Sequence, residues 1–177
     1  MKYKLTNDIR TLSNGVTLYR IQALRAFGTI KEGALGGWVE GYHNLSHYGN
    51  CWVDDSACVF GDACVFDNAR ISHNAWVHGD ACVYGDAQVY ANARVYGDAK
   101  VYGHARVFGD ARIYGHADVY GSADVYDHAG VFGYTRVYEY AEVYGHAGIF
   151  GYAQIYGYAQ IYGNANVCGC VFEGERK

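Results

Sequence analysis

Val95-Tyr96-Gly97-Asp98-Ala99-Lys100 runs straight into Val101-Tyr102-Gly103-His104-Ala105-Arg106, and the reading of this six-residue unit decides the fold. Every sixth residue from Val53 to Val167 is Val or Ile, 20 positions in a row with no insertion or deletion. Four residues after each comes Ala, from Ala57 to Ala165, with Thr135 as the one exception. The residue after the Val or Ile is Tyr or Phe in 16 of the 20 units, and Gly usually follows. Self-similarity at a fixed period marks a repeat architecture.

A period of 6 suits the two-residue alternation of a strand and would smear the Val positions around a helix. Within Ala-x-Val-Tyr, alternation puts Ala and Val on one side and the variable residue and Tyr on the other. Ala and Val fill a narrow core, whereas a Tyr from every unit would not fit, so Tyr faces outward. Gly-Asp forms the corner, because Gly accepts positive φ and Asp bonds nearby backbone. Three such sides close a coil of 18 residues, and successive coils stack as parallel strands about 4.8 Å apart. The expected fold is all-β: a three-sided parallel β-helix of about six to seven coils. Proline is absent, as a structure that places nearly every amide in a ladder requires.

These V/I-x-G-x-A-x units resemble the hexapeptide repeat of left-handed parallel β-helices, best known in bacterial acyltransferases. The lead-in Gly36-Gly37-Trp38-Val39, Asn44-Leu45-Ser46 and Gly49-Asn50-Cys51-Trp52-Val53 resembles more specifically the YdcK-like group of bacteria and phages, which carries a provisional transferase label. The resemblance alone implies left-handedness, since crossover connections between parallel strands are normally right-handed. It also implies a homotrimer. Bactofilin-type polymers, three-sided but right-handed, are the structural alternative.

Residues 1–40 break the pattern and read as an N-terminal cap. Arg10 to Ile21 forms two strands around the Asn14-Gly15 turn, and the hairpin covers the exposed edge of the first coil. Residues 41–52 read as an irregular first coil, with Leu45 to Trp52 out of register with the Val column. Residues 53–167 are the repeat, and 168–177 a cap or tail. Position 173 is due an apolar residue but holds Glu, so the repeat is expected to stop there. The net charge of −4 argues against a nucleic-acid partner. No apolar run approaches ~20 residues and the start lacks a signal-peptide core, so no membrane span and a cytoplasmic location are expected.

Residues one coil apart in sequence sit over one another, so outward columns can be written down. Asp62, Asp80, Asp98 and His116 share a corner column, continued by Tyr134 and Tyr152. Its carboxylates are ordinary turn residues or, as the sharper reading, a weak cation site. Of eight His residues, only His128 and His146 are neighbours in one column. A metal site needs three or four convergent ligands, and no column supplies three His. For acyl transfer the resemblance implies a His base in a cleft between subunits, with His128, His146 and His116 as candidates and acyl-CoA as the cofactor under that reading alone. No extruded loop and no Ser/His/Asp cluster to orient a base is visible in the sequence. The six Cys lack zinc-finger spacing, and Cys64 and Cys82, one coil apart, read as reduced thiols.

The unusual feature is the outward aromatic columns, of which Tyr84, Tyr102, Tyr120, Tyr138 and Tyr156 form the longest run of tyrosines. Such columns stabilise parallel ladders and can also mark association surfaces. The function expected first is a non-catalytic assembly or protein-interaction scaffold. An acyltransferase is the alternative and a bactofilin-like polymer a lesser one.

Overall fold

The computed structural model describes residues 1–169 and the backbone of 171–174. The chain is all-β, with one ten-stranded and two seven-stranded sheets that form the three faces of a prism. Each face is named here by one Val: the Val95, Val101 and Val107 faces. Most repeat strands are two residues long and pair in parallel with the strands one coil before and one coil after, as Lys100 does with Cys82 and Asp118. A six-residue side sends three amides to the coil above. Lys100 N donates to Ala117 O at 2.9 Å, Tyr102 N to Val119 O at 3.0 Å and His104 N to Gly121 O at 2.7 Å.

The Ala and Val/Ile columns are buried from Ala57 to Ile161, as alternation requires. Thr135 is tolerated in the Ala column because its Oγ1 donates to Phe132 O at 3.2 Å, so no buried hydroxyl is left unpaired. Outside, rings one coil apart stack face to face. On the Val101 face the centroids from Phe66 to Tyr156 are 4.7 to 5.1 Å apart, with planes within 12° of parallel.

The corner imposes a left-handed backbone whatever residue occupies it. Gly97 has φ 69°, and the six non-Gly residues in the same slot, Asp55, Asp67, His73, Ala91, Asp127 and Glu139, also have positive φ. The four acids among them bond the amide one coil on. Glu139 Oε2 accepts from Gly157 N at 2.9 Å, and Asp127 Oδ2 from Gly145 N at 3.2 Å. Ala91 has no polar atom with which to offset its strain.

At the N-terminus, β1 (Tyr3–Thr11) and β2 (Thr17–Ala23) form an antiparallel hairpin. Its loop is tight: Gly15 N donates to Leu12 O and Leu12 N to Val16 O, with Gly15 at φ 87° as the bulge residue. Strand β3 (Leu35–Val39) pairs antiparallel with β2 and parallel with Cys58-Val59, which joins the hairpin to the Val95 face. Leu12 and Leu18 pack on Cys58 and Phe60, a small second core outside the prism.

Both ends slip from the regular step of one coil. Val39 partners Val59 and Leu45 partners Val65, each two positions beyond the regular step, while Val53 partners Ile71 in register. Leu45 therefore occupies the Val column, unlike the sequence expectation, and two extra residues widen the corner before Val53. Fully buried Lys2 fills that corner, its Nζ 2.8 Å from Cys51 O and 3.4 Å from Tyr48 O. Burial pushes the Lys2 amine below its ordinary pKa. At the far end Val171–Gly174 continues the Val101 face, with Phe172 as the Cα partner of Ile155. The expected stop at Glu173 is thus corrected. A step one residue short of the regular coil puts Phe172, not Glu173, in the column. Cys170 and Glu175 to Lys177 lie outside the described residues. Among the described residues no helix is long and apolar enough to cross a membrane.

Two outcomes follow from these corners and ladders. Ala91→Gly is expected to raise stability by about 1 kcal/mol, because it removes left-handed strain, whereas Ala93→Gly in the buried column should lower it. Chemical denaturation of the two variants checks the contrast. Burial raises the phenol pKa values of Tyr84, Tyr90, Tyr114 and Tyr120, and those of Tyr102 and Tyr126 to about 12. A raised folded pKa gives stability that is complete below the unfolded value of about 10 and is lost as pH rises through about 12. Tyrosinate absorbance and circular dichroism should therefore change together in that window.

Candidate functional site

Each face of the prism is a shallow trough. A corner column forms one wall, the column of variable residues lies on the floor, and the aromatic ladder forms the other wall. Chemistry is then decided by which side chains the coil-to-coil step stacks in each trough.

The Val101 face carries the expected interaction tyrosines, Tyr84, Tyr102, Tyr120, Tyr138 and Tyr156, and all five are half-buried. From Tyr84 to Tyr138 each ring is stacked on both faces by its neighbours, so mainly edges and hydroxyls meet solvent. Four exposed tyrosines stand at the corners flanking this face in its last two coils; Tyr42 and Tyr48 are exposed near the first coil, and Tyr162 is exposed at the end of the Val107-face ladder. Tyr134 and Tyr152 lie along one edge, 56% and 73% exposed, and Tyr140 and Tyr158 along the other, 57% and 41% exposed. They too stack, at 5.3 and 5.1 Å. Earlier coils hold Asp98, His116, Asp86 and His104 in these two columns. The corners thus change from charged or titratable to aromatic along the axis. A cavity of about 340 Å³ lies between Tyr134, Tyr152 and the floor residues Asp118, Arg136 and Gln154. Sequence reading placed Tyr134 and Tyr152 in their column, but not the contrast in exposure, because a corner residue has no neighbour on its outer side.

The expected metal candidates Asp62, Asp80, Asp98 and His116 follow one another up their corner, and His116 Nδ1 is 3.4 Å from Asp98 Oδ2. Among the described residues no three His, Cys, Asp or Glu side chains converge as ligands. Equivalent pairs occur at the other two corners: His104 with Asp86 at 3.7 Å, and His128 with Asp110 at 3.6 Å. The sequence reading looked for a Ser/His/Asp cluster; what the structure shows is an Asp–His pair at each corner, with no Ser in it. The step that stacks His128 on His146, at 4.8 Å between ring centroids, also sets Asp beneath His at all three corners. That signal was present in the spacing. The three His side chains are each at least half exposed and point in three directions.

His128 and His146 border the trough of the Val95 face, where a cavity of about 310 Å³ is lined by Asp110, Arg112, Tyr114, His128, Gly130 and Gly148. A second cavity of the same volume continues it past Arg94 and Trp76. His78, stacked between Phe60 and Tyr96, is held below the usual imidazole range by burial and then by Arg94. On the Val101 face the Cys64 and Cys82 sulfurs lie 2.8 Å apart, and burial with the neighbouring thiol pushes Cys64 up to about 12, far from a reactive thiolate.

With this geometry in hand, comparison with known proteins adds one family. A family model described as the YdcK beta solenoid repeat matches residues 63–79 and 99–115. No curated protein matches the chain. The two matched stretches each span almost one coil, so what the chain shares with that family is the coil itself: it is built from β-solenoid repeats and resembles the YdcK-like proteins.

Proposed function

We propose that this chain is a non-catalytic scaffold that self-associates through the tyrosine-flanked end of the Val101 face. One observation carries the reading: Tyr134, Tyr140, Tyr152 and Tyr158 stand exposed at the corners where preceding coils place Asp, His, Asn or Ser. An exposed aromatic surface of this kind costs solubility and commonly marks a contact, since Tyr gives large contact area at low entropy cost. The trough between them offers Asp118, Arg136 and Gln154 for polar contacts. A closed homotrimer is the assembly proposed, in the cytoplasm, with no nucleic acid, membrane or cofactor needed. A protein partner on the same surface is compatible with it.

An acyltransferase working on acyl-CoA at a subunit interface is the second reading, favoured by the Asp110–His128 pair beside the Gly130 and Gly148 trough. Recurrence of the same pair at two other corners suits a turn device better than one base in one site. Loss of acyl-CoA hydrolysis or transfer in His128→Ala would support this reading over the scaffold.

The scaffold is tested by changing Tyr134, Tyr140, Tyr152 and Tyr158 together to Asn, which the corner slot already holds at 68, 74, 92 and 164. Light scattering should show the wild type as a multiple of 19.5 kDa and the variant at the monomer mass, with an unchanged circular dichroism spectrum. An open-ended size distribution for the wild type would point to the bactofilin-like polymer. A wild type that is monomeric, or a variant with wild-type mass, would overturn the proposal.

A further inference from the structure

The repeat supplies its own comparison for Arg112. On the Val107 face, Arg106 has Asp124 as its Cα partner one coil on. Arg106 Nε donates to Asp124 Oδ1 at 2.8 Å, and Nη2 meets Oδ2 in a two-point pair. On the Val101 face the floor column alternates Lys100, Asp118 and Arg136. On each of these faces one cation is followed by a carboxylate, Arg106 by Asp124 and Lys100 by Asp118, while Arg70 and Arg136 are followed by the neutral amides Gln88 and Gln154. On the Val95 face the same step runs Arg94, Arg112, Gly130, Gly148. Like charges are stacked directly, which is unfavourable, and a glycine stands where Arg112 would find its carboxylate. Among the described residues neither Arg94 nor Arg112 has a carboxylate within ion-pair distance. Arg94 lies over the Trp76 ring at 5.6 Å, and Arg112 has no such contact.

Packing does not require Gly130. A Cβ built there would meet nothing within 4 Å, and its φ is not in the left-handed region. Glycine inside a strand costs stability and often marks a place where something approaches the backbone closely. The space it leaves is the 310 Å³ cavity, with Arg112 at one end, the Tyr114 edge on one wall and His128 on the other. Asp110 also borders it, but its charge faces the His128 imidazole at 3.6 Å.

We propose that Arg112 above the bare backbone of Gly130 is a binding socket for a carboxylate supplied by a ligand, which takes the place that Asp124 fills beside Arg106. Planar guanidinium and carboxylate groups match in two-point pairs, so a carboxylate is the favoured chemistry. The carboxylate can belong to a small organic acid or to an acidic side chain of another polypeptide. The site lies on a different face from the proposed association surface, so either proposal can fail alone.

The test is a titration of the full-length protein with glutarate and, separately, with a glutamate-containing hexapeptide, followed by NMR of the arginine Nε–H groups. Saturable movement of the Arg112 resonance is expected with at least one probe. Response to glutarate identifies a small acid as sufficient, and response to the peptide alone identifies a chain-borne carboxylate. Arg112→Gln should weaken binding at least tenfold. Gly130→Asp should abolish it and raise the melting temperature, because it completes the internal pair, while Gly130→Ala should still bind. Absence of saturable movement with both probes, or equal binding by Gly130→Asp, would overturn the proposal.

Discussion

Everything in this molecule depends on alternate amides of each side lying beneath carbonyls of the next coil, as those of Lys100, Tyr102 and His104 do. Two-residue strands have too few internal contacts to stand alone, so each is held only by its neighbours in the coils above and below. The step of one coil must therefore be kept at every side, and the left-handed corner keeps it. Gly in that slot turns the chain without a Cβ against the coil above. At Gly109, for example, a Cβ would come within 2.8 Å of Asp127 N. Where an acid replaces Gly, the cost of positive φ is offset by a bond from its carboxylate to the next corner amide, as Glu139 does for Gly157.

The same constraint makes the ends special, since a terminal coil has a partner on one side only. At the N-terminus two extra residues break the step, and the carbonyls of the widened corner turn toward the interior. Burying a lysine is costly unless its donors are satisfied. Lys2 is satisfied by Cys51 O at 2.8 Å, and Tyr3 adds its hydroxyl to Leu45 O at 2.7 Å. Residues at the start of the chain thus complete the hydrogen bonding of the first coil, and β1 and β2 extend the Val95 face beyond it. At the other end the shortened step makes Phe172 the Cα partner of Ile155, one position before the regular spacing would.

Rigid stacking also turns each outward position into a column whose chemistry is collective. An aromatic column hides its ring faces within itself, which stabilises the prism but leaves the half-buried ladder from Tyr84 to Tyr156 little surface for a partner. Bare rings are found instead at the corners, where Tyr134 and Tyr152 stand clear. A charged column must alternate or find partners elsewhere. Signs alternate along Lys100–Asp118–Arg136; on the Val107 face Arg106 meets Asp124, and Glu142, stacked on Asp124, accepts from Gln160, while the Val95 face stacks Arg94 on Arg112 and then offers glycine.

Strict periodicity let the sequence by itself determine the prism, its inside and outside, and the membership of every column from Val53 to Val167, because in this fold spatial neighbours are one full coil apart along the chain. The Asp–His pairs and the Arg112–Gly130 step were legible by the same counting. The ends were less so: Leu45 and Phe172 sit in the Val column only because the chain takes one step longer than a coil and another shorter, which no fixed period announces. Tertiary structure alone decided that Lys2 closes the first corner, and which tyrosines are hidden and which are bare. Those outcomes depend on how rings lean across adjacent coils and on what covers the end of a stack, and a period along the chain carries no information about either.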